Sequence, residues 1–260
     1  MSRARAAANL IVVLALVALP AAMLAWLGPD GAIVAIATSA LAWQLVTPRL
    51  LVDASGARPI DPARVTGDVK NLLDPLSIPP GALFVVDGED GGDPKGGDPN
   101  DHAAIAIGLG RSRRILVTAS LLGDGKDRLF LGVLAHEVAH LRRHHLVRRA
   151  ALCLLWFGHA LLIARLGVLP DLGATIFLGT YGIAGGILVI RWYERRTELE
   201  ADRLAARAVG ADGLVEFLLG LEAAEPEPRG WKGQIAALLA THPSPRERVA
   251  ALSVETHAVG

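Results

Sequence analysis

Four long apolar runs interrupt the polar pattern of this chain, at Leu10–Leu27, Gly31–Val46, Ala150–Leu169 and Leu172–Ile190. Each lies close to the roughly 20 residues that a helix needs to cross a hydrocarbon core of about 30 Å, the second run being the shortest. Buried core helices are the alternative. For the first run a cleaved signal peptide is a further alternative, but a second run follows it at once. We therefore expect four transmembrane helices in two hairpins.

Arginines flank these runs on one side only. They precede the first and third runs and follow the second and fourth, whereas the turns at 28–30 and 170–171 contain no basic residue. Because basic residues concentrate on the cytoplasmic side of membrane proteins, both chain ends and all large polar segments should be cytoplasmic. The flanking residues are Arg3, Arg5, Arg49, Arg142, Arg143, Arg148, Arg149, Arg191, Arg195 and Arg196.

The first polar segment predicts a small sheet. Ala82–Asp87, Ala103–Gly108 and Arg113–Ala119 are β-branched or apolar and are bounded by turn residues, so we expect three strands, the last two joined as a hairpin. Gly88–Asp101 is rich in glycine, aspartate and proline, which predicts a solvated loop. Its acidic residues lack the spacing of an EF-hand calcium site.

Helices are predicted on both sides of the second pair of apolar runs. One helix follows Gly123–Gly125, carries apolar residues at helical spacing and is expected to continue into the third run. After the fourth run we expect helices at Arg191–Val209, Ala211–Glu225, Trp231–Ala240 and Pro245–Val254.

Composition narrows the function classes. The formal net charge is zero, which argues against a nucleic-acid partner. The single cysteine, Cys153, excludes both an intrachain disulfide and a cysteine-based zinc site.

The segment His136-Glu137-Val138-Ala139-His140 carries the candidate chemistry. Two histidines four residues apart share one face of a helix, so both imidazoles can reach one ion. Glu137 is adjacent to the first histidine, where a carboxylate can take a proton from water at the metal. The alternative is an ordinary amphipathic helix with two histidines. His140 and His144 have the same spacing, but Leu141 occupies the position of the base.

A third ligand must come from another segment, since catalytic zinc sites usually have three protein ligands. Glu194, Glu198 and Asp202 lie at four-residue intervals on one face of the helix after the fourth run, while Glu200 points away. At about 1.5 Å per residue, the two histidines lie roughly 15–21 Å from the membrane, Glu198 about 12 Å and Asp202 about 18 Å. Both acidic residues therefore remain candidates, whereas Glu194, at about 6 Å, is too close to the membrane.

The order of these motifs resembles the M48 family of membrane zinc metallopeptidases, above all the four-span heat-shock type of bacteria. The resemblance rests on residues 136–140, the two-span hairpin, residues 198–202, and Thr241-His242-Pro243 followed by Arg248. It implies that His136, His140 and Glu198 bind one Zn²⁺ ion, that Glu137 is the catalytic base, and that Asp202 holds His136 in the ligating tautomer. It also implies that His242 donates to the oxyanion. Arg248 is expected to bond carboxylates without being catalytic.

The chain departs from the family pattern at two places. The family's substrate-binding edge strand typically begins with an asparagine-alanine pair, where this chain has Ala103-Ala104. Extended substrates pair through their backbone, so Ala103, Ala104, Ile105 and Ala106 remain the expected substrate-binding residues. The family also often has an aspartate near His144 and His145. Here these histidines lie among arginines, which suggests a solvated face at the membrane surface.

The expected fold is a mainly α membrane protein with four transmembrane helices and a cytoplasmic α+β gluzincin-like metallopeptidase domain with a small β-sheet. The expected parts are an N-terminal transmembrane hairpin at 1–47, a first catalytic part at 48–149, a second transmembrane hairpin at 150–190 and a second catalytic part at 191–260.

The expected function is zinc-dependent endopeptidase activity on membrane or misfolded proteins, at the cytoplasmic face of the bacterial inner membrane. The expected partners are polypeptide substrates and the lipid bilayer. The alternative is a non-catalytic zinc-binding membrane scaffold or signal-sensing protein. Because Glu137, Glu198 and Asp202 are all present, the enzyme is the favoured interpretation.

Overall fold

The computed structural model describes residues 48–53, 55–86, 104–166, 173, 176–224 and 242–258. The first two predicted spans, the loop at 88–101, Ala103 and the predicted helix at 231–240 lie outside these residues. Within the described residues the protein is mostly helical and has one small sheet, as the sequence predicted.

A four-stranded sheet forms one layer of the fold. Its strands are β1 (Arg58–Pro59), β2 (Leu83–Val86), β3 (Ala104–Ile107) and β4 (Arg114–Thr118), in the order β1-β2-β4-β3. β2 and β4 are parallel, while β1 pairs with β2 and β3 pairs with β4 in antiparallel fashion. The three predicted strands and the hairpin are thus confirmed. β3 lies at an edge of the sheet, beside the zinc-motif helix.

The described residues contain six α-helices: α1 (Gly67–Leu73), α2 (Asp127–Arg142), α3 (His145–Arg165), α4 (Gly186–Val209), α5 (Asp212–Ala224) and α6 (Pro245–Ala258). α2 is central, because it packs against the sheet on one side and against α4 and α5 on the other. Its apolar residues join Leu83 and Ile115 of the sheet in the main core, where Leu134 is fully buried. Burial of this face holds the histidine motif of α2 in place.

The predicted unbroken helix from the histidine motif into the third apolar run is wrong. α2 ends at Arg142, and α3 begins at His145. His144 between them adopts a left-handed conformation with φ of 54°, which a continuous right-handed helix does not permit. The reversal turns the His145 side chain inward, so that His145 is only 4% exposed.

The helix that leads into α4 contains an irregular, π-helical segment. α3 is followed by a π-helical segment, Leu178–Gly185, that leads directly into α4. The indole Nε1 of Trp156 donates to the carbonyl oxygens of Tyr181 and Gly182, at 3.3 and 3.1 Å. Across the described residues, no helix combines the length and apolar character needed to cross a membrane.

Candidate metal and active site

α2 brings the two motif histidines together. The Nε2 atoms of His136 and His140 are 3.0 Å apart, and the rings meet edge to face. His136 is 7% exposed and His140 is half-buried. The four-residue spacing therefore directs both Nε2 atoms to one point, as the sequence predicted.

Glu198 of α4 reaches the same point. Its Oε2 lies 3.4 Å from His136 Nε2, and its Oε1 lies 3.3 Å from His140 Nε2. One donor atom from each of these three residues lies within 4.8 Å of the others, so the group could hold a metal ion. Two imidazoles and a carboxylate suit zinc, and the donor set of this structure therefore fits that ion.

Asp202, one turn further along α4, contacts His136 from behind. Its Oδ1 is 2.8 Å from His136 Nδ1, which leaves Nε2 to face the metal position. Arg248 of α6 binds Asp202 with two hydrogen bonds, from Nε at 2.7 Å and from Nη2 at 2.6 Å. All three side chains are buried. Of the two acidic candidates, Glu198 lies between the histidine Nε2 atoms and Asp202 supports one histidine.

The protonation of His136 reflects these neighbours. Burial favours the neutral imidazole, but hydrogen bonds to Asp202 and Glu198 outweigh burial and raise the pKa of His136 to about 9. Arg248 opposes this rise. Without a metal, His136 is therefore protonated on both ring nitrogens and positively charged at neutral pH.

The two carboxylates remain ionised for the complementary reason. Burial works against the ionised form of Glu198, but hydrogen bonds from the surrounding histidines hold its pKa far below the usual range. Burial likewise works against ionisation of Asp202, and its bonds to Arg248 and His136 lower its pKa. Both carboxylates are thus anionic, as a cation site requires.

Glu137 faces the edge strand. Its Oε2 accepts a hydrogen bond from the backbone N–H of Ala106 in β3, at 2.7 Å. The predicted base and the predicted substrate-binding strand are therefore in direct contact. Ala104 and Ala106 are half-buried, whereas the Ile105 side chain is 50% exposed.

His242 approaches the centre from the segment before α6. Its Nδ1 is 3.3 Å from Glu198 Oε2, and its side chain is 62% exposed. The hydrogen bond to Glu198 raises the pKa of His242 against the effect of burial. His242 therefore borders the metal position and faces solvent.

One residue, His145, differs from the sequence-based interpretation. His145 does not belong to a solvated face, because it is buried with its Nδ1 2.9 Å from His140 Nδ1. Burial and the neighbouring His140 lower the pKa of His145 to about 4. Glu200 does point away from the metal position, as expected, but it faces His145 Nε2 at 3.5 Å. The run of arginines around His145 gave no signal of this burial.

Glu194 stays outside the site. Its carboxylate pairs with Arg149 at 2.9 Å and with Arg191 at 3.6 Å. The estimate from helical rise had also excluded Glu194, as too close to the membrane.

The chain is similar to known proteins in sequence and in fold. Peptidase family M48 matches residues 93–256. A Protease HtpX homolog of Methylacidiphilum infernorum is 28% identical over 183 residues, which cover 57% of this chain and 61% of that protein. Protease HtpX of Acinetobacter baylyi is 28% identical over 185 residues, covering 57% and 60%. The match thus spans about three-fifths of the length of these two relatives.

Two further likenesses extend over more of the chain. A Protease HtpX homolog of Bordetella petrii is 25% identical over 251 residues, covering 83% of this chain and 81% of that protein. The crystal structure of S. mikatae Ste24p superposes with a TM-score of 0.66 at 18% identity, covering 95% of this chain and 65% of Ste24p, so the fold is shared. With the family match over most of the chain, these findings confirm the resemblance. The chain belongs to peptidase family M48.

Proposed function

We propose that this protein is a membrane-embedded zinc endopeptidase in which His136, His140 and Glu198 hold one Zn²⁺ ion. The observation that carries the proposal is the meeting of two Nε2 atoms from α2 with one carboxylate from α4. Glu137, next to His136 in the chain, bonds the edge strand β3. Membership in a peptidase family supports hydrolysis of peptide bonds as the reaction.

A Zn²⁺ ion held by His136, His140 and Glu198 would supply Lewis acidity for activating water and polarising the scissile carbonyl. Glu137 acts as the general base and carries the proton from water to the leaving amine. His136 and His140 hold the ion through Nε2, and Asp202 keeps the proton of His136 on Nδ1. His242, at the solvent side of Glu198, donates to the oxyanion of the tetrahedral intermediate.

The proposed substrate-binding residues are Ala103, Ala104, Ile105 and Ala106, of which the last three belong to β3. β3 is an edge strand, and edge strands bind extended peptides by backbone hydrogen bonds. The Ala106 N–H already bonds a carboxylate oxygen, so its direction suits a substrate carbonyl. A substrate carbonyl bound there would replace Glu137 and free the base for catalysis.

The setting we propose is a bacterial inner membrane, with both chain ends and the active site in the cytoplasm. The proposed parts are transmembrane hairpins at 1–47 and 150–190 and catalytic parts at 48–149 and 191–260. Large apolar side chains exposed on the second hairpin support contact with lipid, among them Leu155, Leu162, Ile176 and Ile183. Substrates in this setting are membrane proteins or misfolded proteins.

Glu137→Gln separates catalysis from metal binding. The amide cannot act as the base, so peptidase activity on an unfolded protein substrate should fall by at least about 100-fold. Zinc content should not change, because Glu137 is not among the three ligands. Equal activity in the wild type and the variant, both carrying zinc, would refute the proposed mechanism.

A further inference from the structure

His145 is a buried imidazole that the mechanism above does not use. The left-handed residue His144 reverses the chain and brings His145 against His140, with ring centroids 4.9 Å apart. The two Nδ1 atoms are 2.9 Å apart, which is hydrogen-bond distance. Nε2 of His145 has no hydrogen-bond partner among the described residues, and the anionic atom that faces it is Glu200 Oε2, at 3.5 Å.

The proton positions of this chain of groups follow from the geometry. Nε2 of His140 faces Glu198 and His136, so a metal at that point takes this lone pair and leaves the proton of His140 on Nδ1. Nδ1 of His145 must then accept that proton's hydrogen bond. The neutral His145 therefore carries its own proton on Nε2, directed toward Glu200.

We propose that His145 and Glu200 form a relay that fixes His140 in its metal-binding tautomer, a deduction that rests on the proposed zinc site. On the other side of the site, Asp202 contacts His136 directly. On the other histidine, His140, the imidazole of His145 lies between the metal ligand and the carboxylate of Glu200. Arg143 donates to Glu200 Oε1 at 2.5 Å and holds the outer end of the relay. His145 is thus a positioning residue, since it acts through His140.

Zinc affinity of the full-length, metal-stripped protein tests the relay, measured in detergent by competition with a chromogenic chelator. His145→Phe keeps the ring but removes the acceptor, so zinc affinity should fall about 10- to 100-fold. His145→Asp supplies a carboxylate acceptor to His140 Nδ1 and should restore affinity to within about threefold, given the strength of such a bond. His144→Asn is the control. It changes the exposed residue next to His145, and asparagine tolerates the left-handed conformation found there, so zinc affinity should not change.

A second pair of variants identifies the role of Glu200. Glu200→Ala should weaken zinc binding in the wild-type background but not in the His145→Asp background, where the relay is bypassed. Equal losses in both backgrounds would overturn the relay even if His145→Phe fails to fold. So would wild-type zinc affinity in a folded His145→Phe protein. A wild-type chain that binds no zinc would instead refute the proposed function itself, so the two failures are distinguishable.

Discussion

The Asp202–Arg248 pair is a deeply buried ionic interaction beside the site. The side chains are 1% and 9% exposed, and two hydrogen bonds join them. Each charge offsets the cost of burying the other, so removal of one partner leaves an uncompensated charge in the interior. Arg248 Nη1 also lies 3.5 Å from Glu198 Oε2.

We expect Arg248→Met to lower the free energy of unfolding by about 3–5 kcal/mol, because the buried carboxylates of Asp202 and Glu198 then share one buried cation, His136. Arg246→Met is the matched control on the same helix. Arg246 pairs with Glu222, but its side chain is 74% exposed, so its loss should cost at most about 1 kcal/mol. Chemical denaturation of both purified variants measures the difference. Equal losses would show that the buried pair has no special weight.

A second prediction at the residue scale concerns pH. In the metal-free protein the pKa of His136 is about 9, above the ordinary 6.5, so a cation must displace a proton throughout the neutral range. Apparent zinc affinity should therefore rise about tenfold per pH unit from pH 7 toward 9 and then level off. The same proton stabilises the metal-free fold fully below pH 6.5, and this stabilisation is lost as pH rises through 9.

Chelator competition at a series of pH values tests this prediction. Asp202→Asn weakens the hydrogen bond that raises the pKa of His136. The zinc affinity of this variant should therefore level off at a lower pH than that of the wild type. An affinity that does not vary between pH 7 and 9 would contradict the assignment of that proton to His136.

At the scale of elements, the site depends on a close crossing of α2 and α5. A Cβ at Gly132 would lie 2.6 Å from the backbone nitrogen of Leu214, and a Cβ at Gly213 would meet the carbonyl of Arg128. The two backbones thus touch where glycine leaves room. This contact fixes the orientation of α2, which carries both histidines.

Gly213→Ala should destabilise the protein by about 1–3 kcal/mol, since the added methyl group must push backbone atoms apart. Gly220→Ala on the same helix is the control, because nothing lies within 4 Å of its Cβ position. That change should stabilise the helix by roughly 0.5–1 kcal/mol. A thermal shift of the same sign in both variants would argue against the close crossing.

Sequence reasoning predicted elements whose pattern is local. Strands and helices followed from alternating and helical apolar spacing, and the rise of α4 placed Glu198 and Asp202 at the right height. Helical rise does not fix rotation between helices, so it left these two residues as alternatives. The inward turn of His145 depends on one left-handed residue, His144, whose neighbours gave no turn signal. The bond of Glu137 to β3 depends on packing between segments and has no local signature.

At the scale of the whole molecule, the proposal places the catalytic parts on one side of a membrane. Single cysteines in a Cys153→Ala background test this orientation. Arg111→Cys should react with a membrane-impermeant maleimide only after cells are opened, because the exposed position 111 lies on the proposed cytoplasmic side. A cysteine at Asp171, between the third and fourth apolar runs, should react in intact cells. The reverse pattern would contradict the proposed orientation.

Zinc stoichiometry is the most direct test of the account, because the convergence of His136, His140 and Glu198 on one ion is its central claim. Elemental analysis of the purified wild type should give one zinc per chain. Glu198→Ala should lose most of this metal, whereas Glu194→Ala, on the same helix but paired with Arg149, should retain it. Full zinc occupancy in Glu198→Ala, at wild-type affinity, would contradict the account.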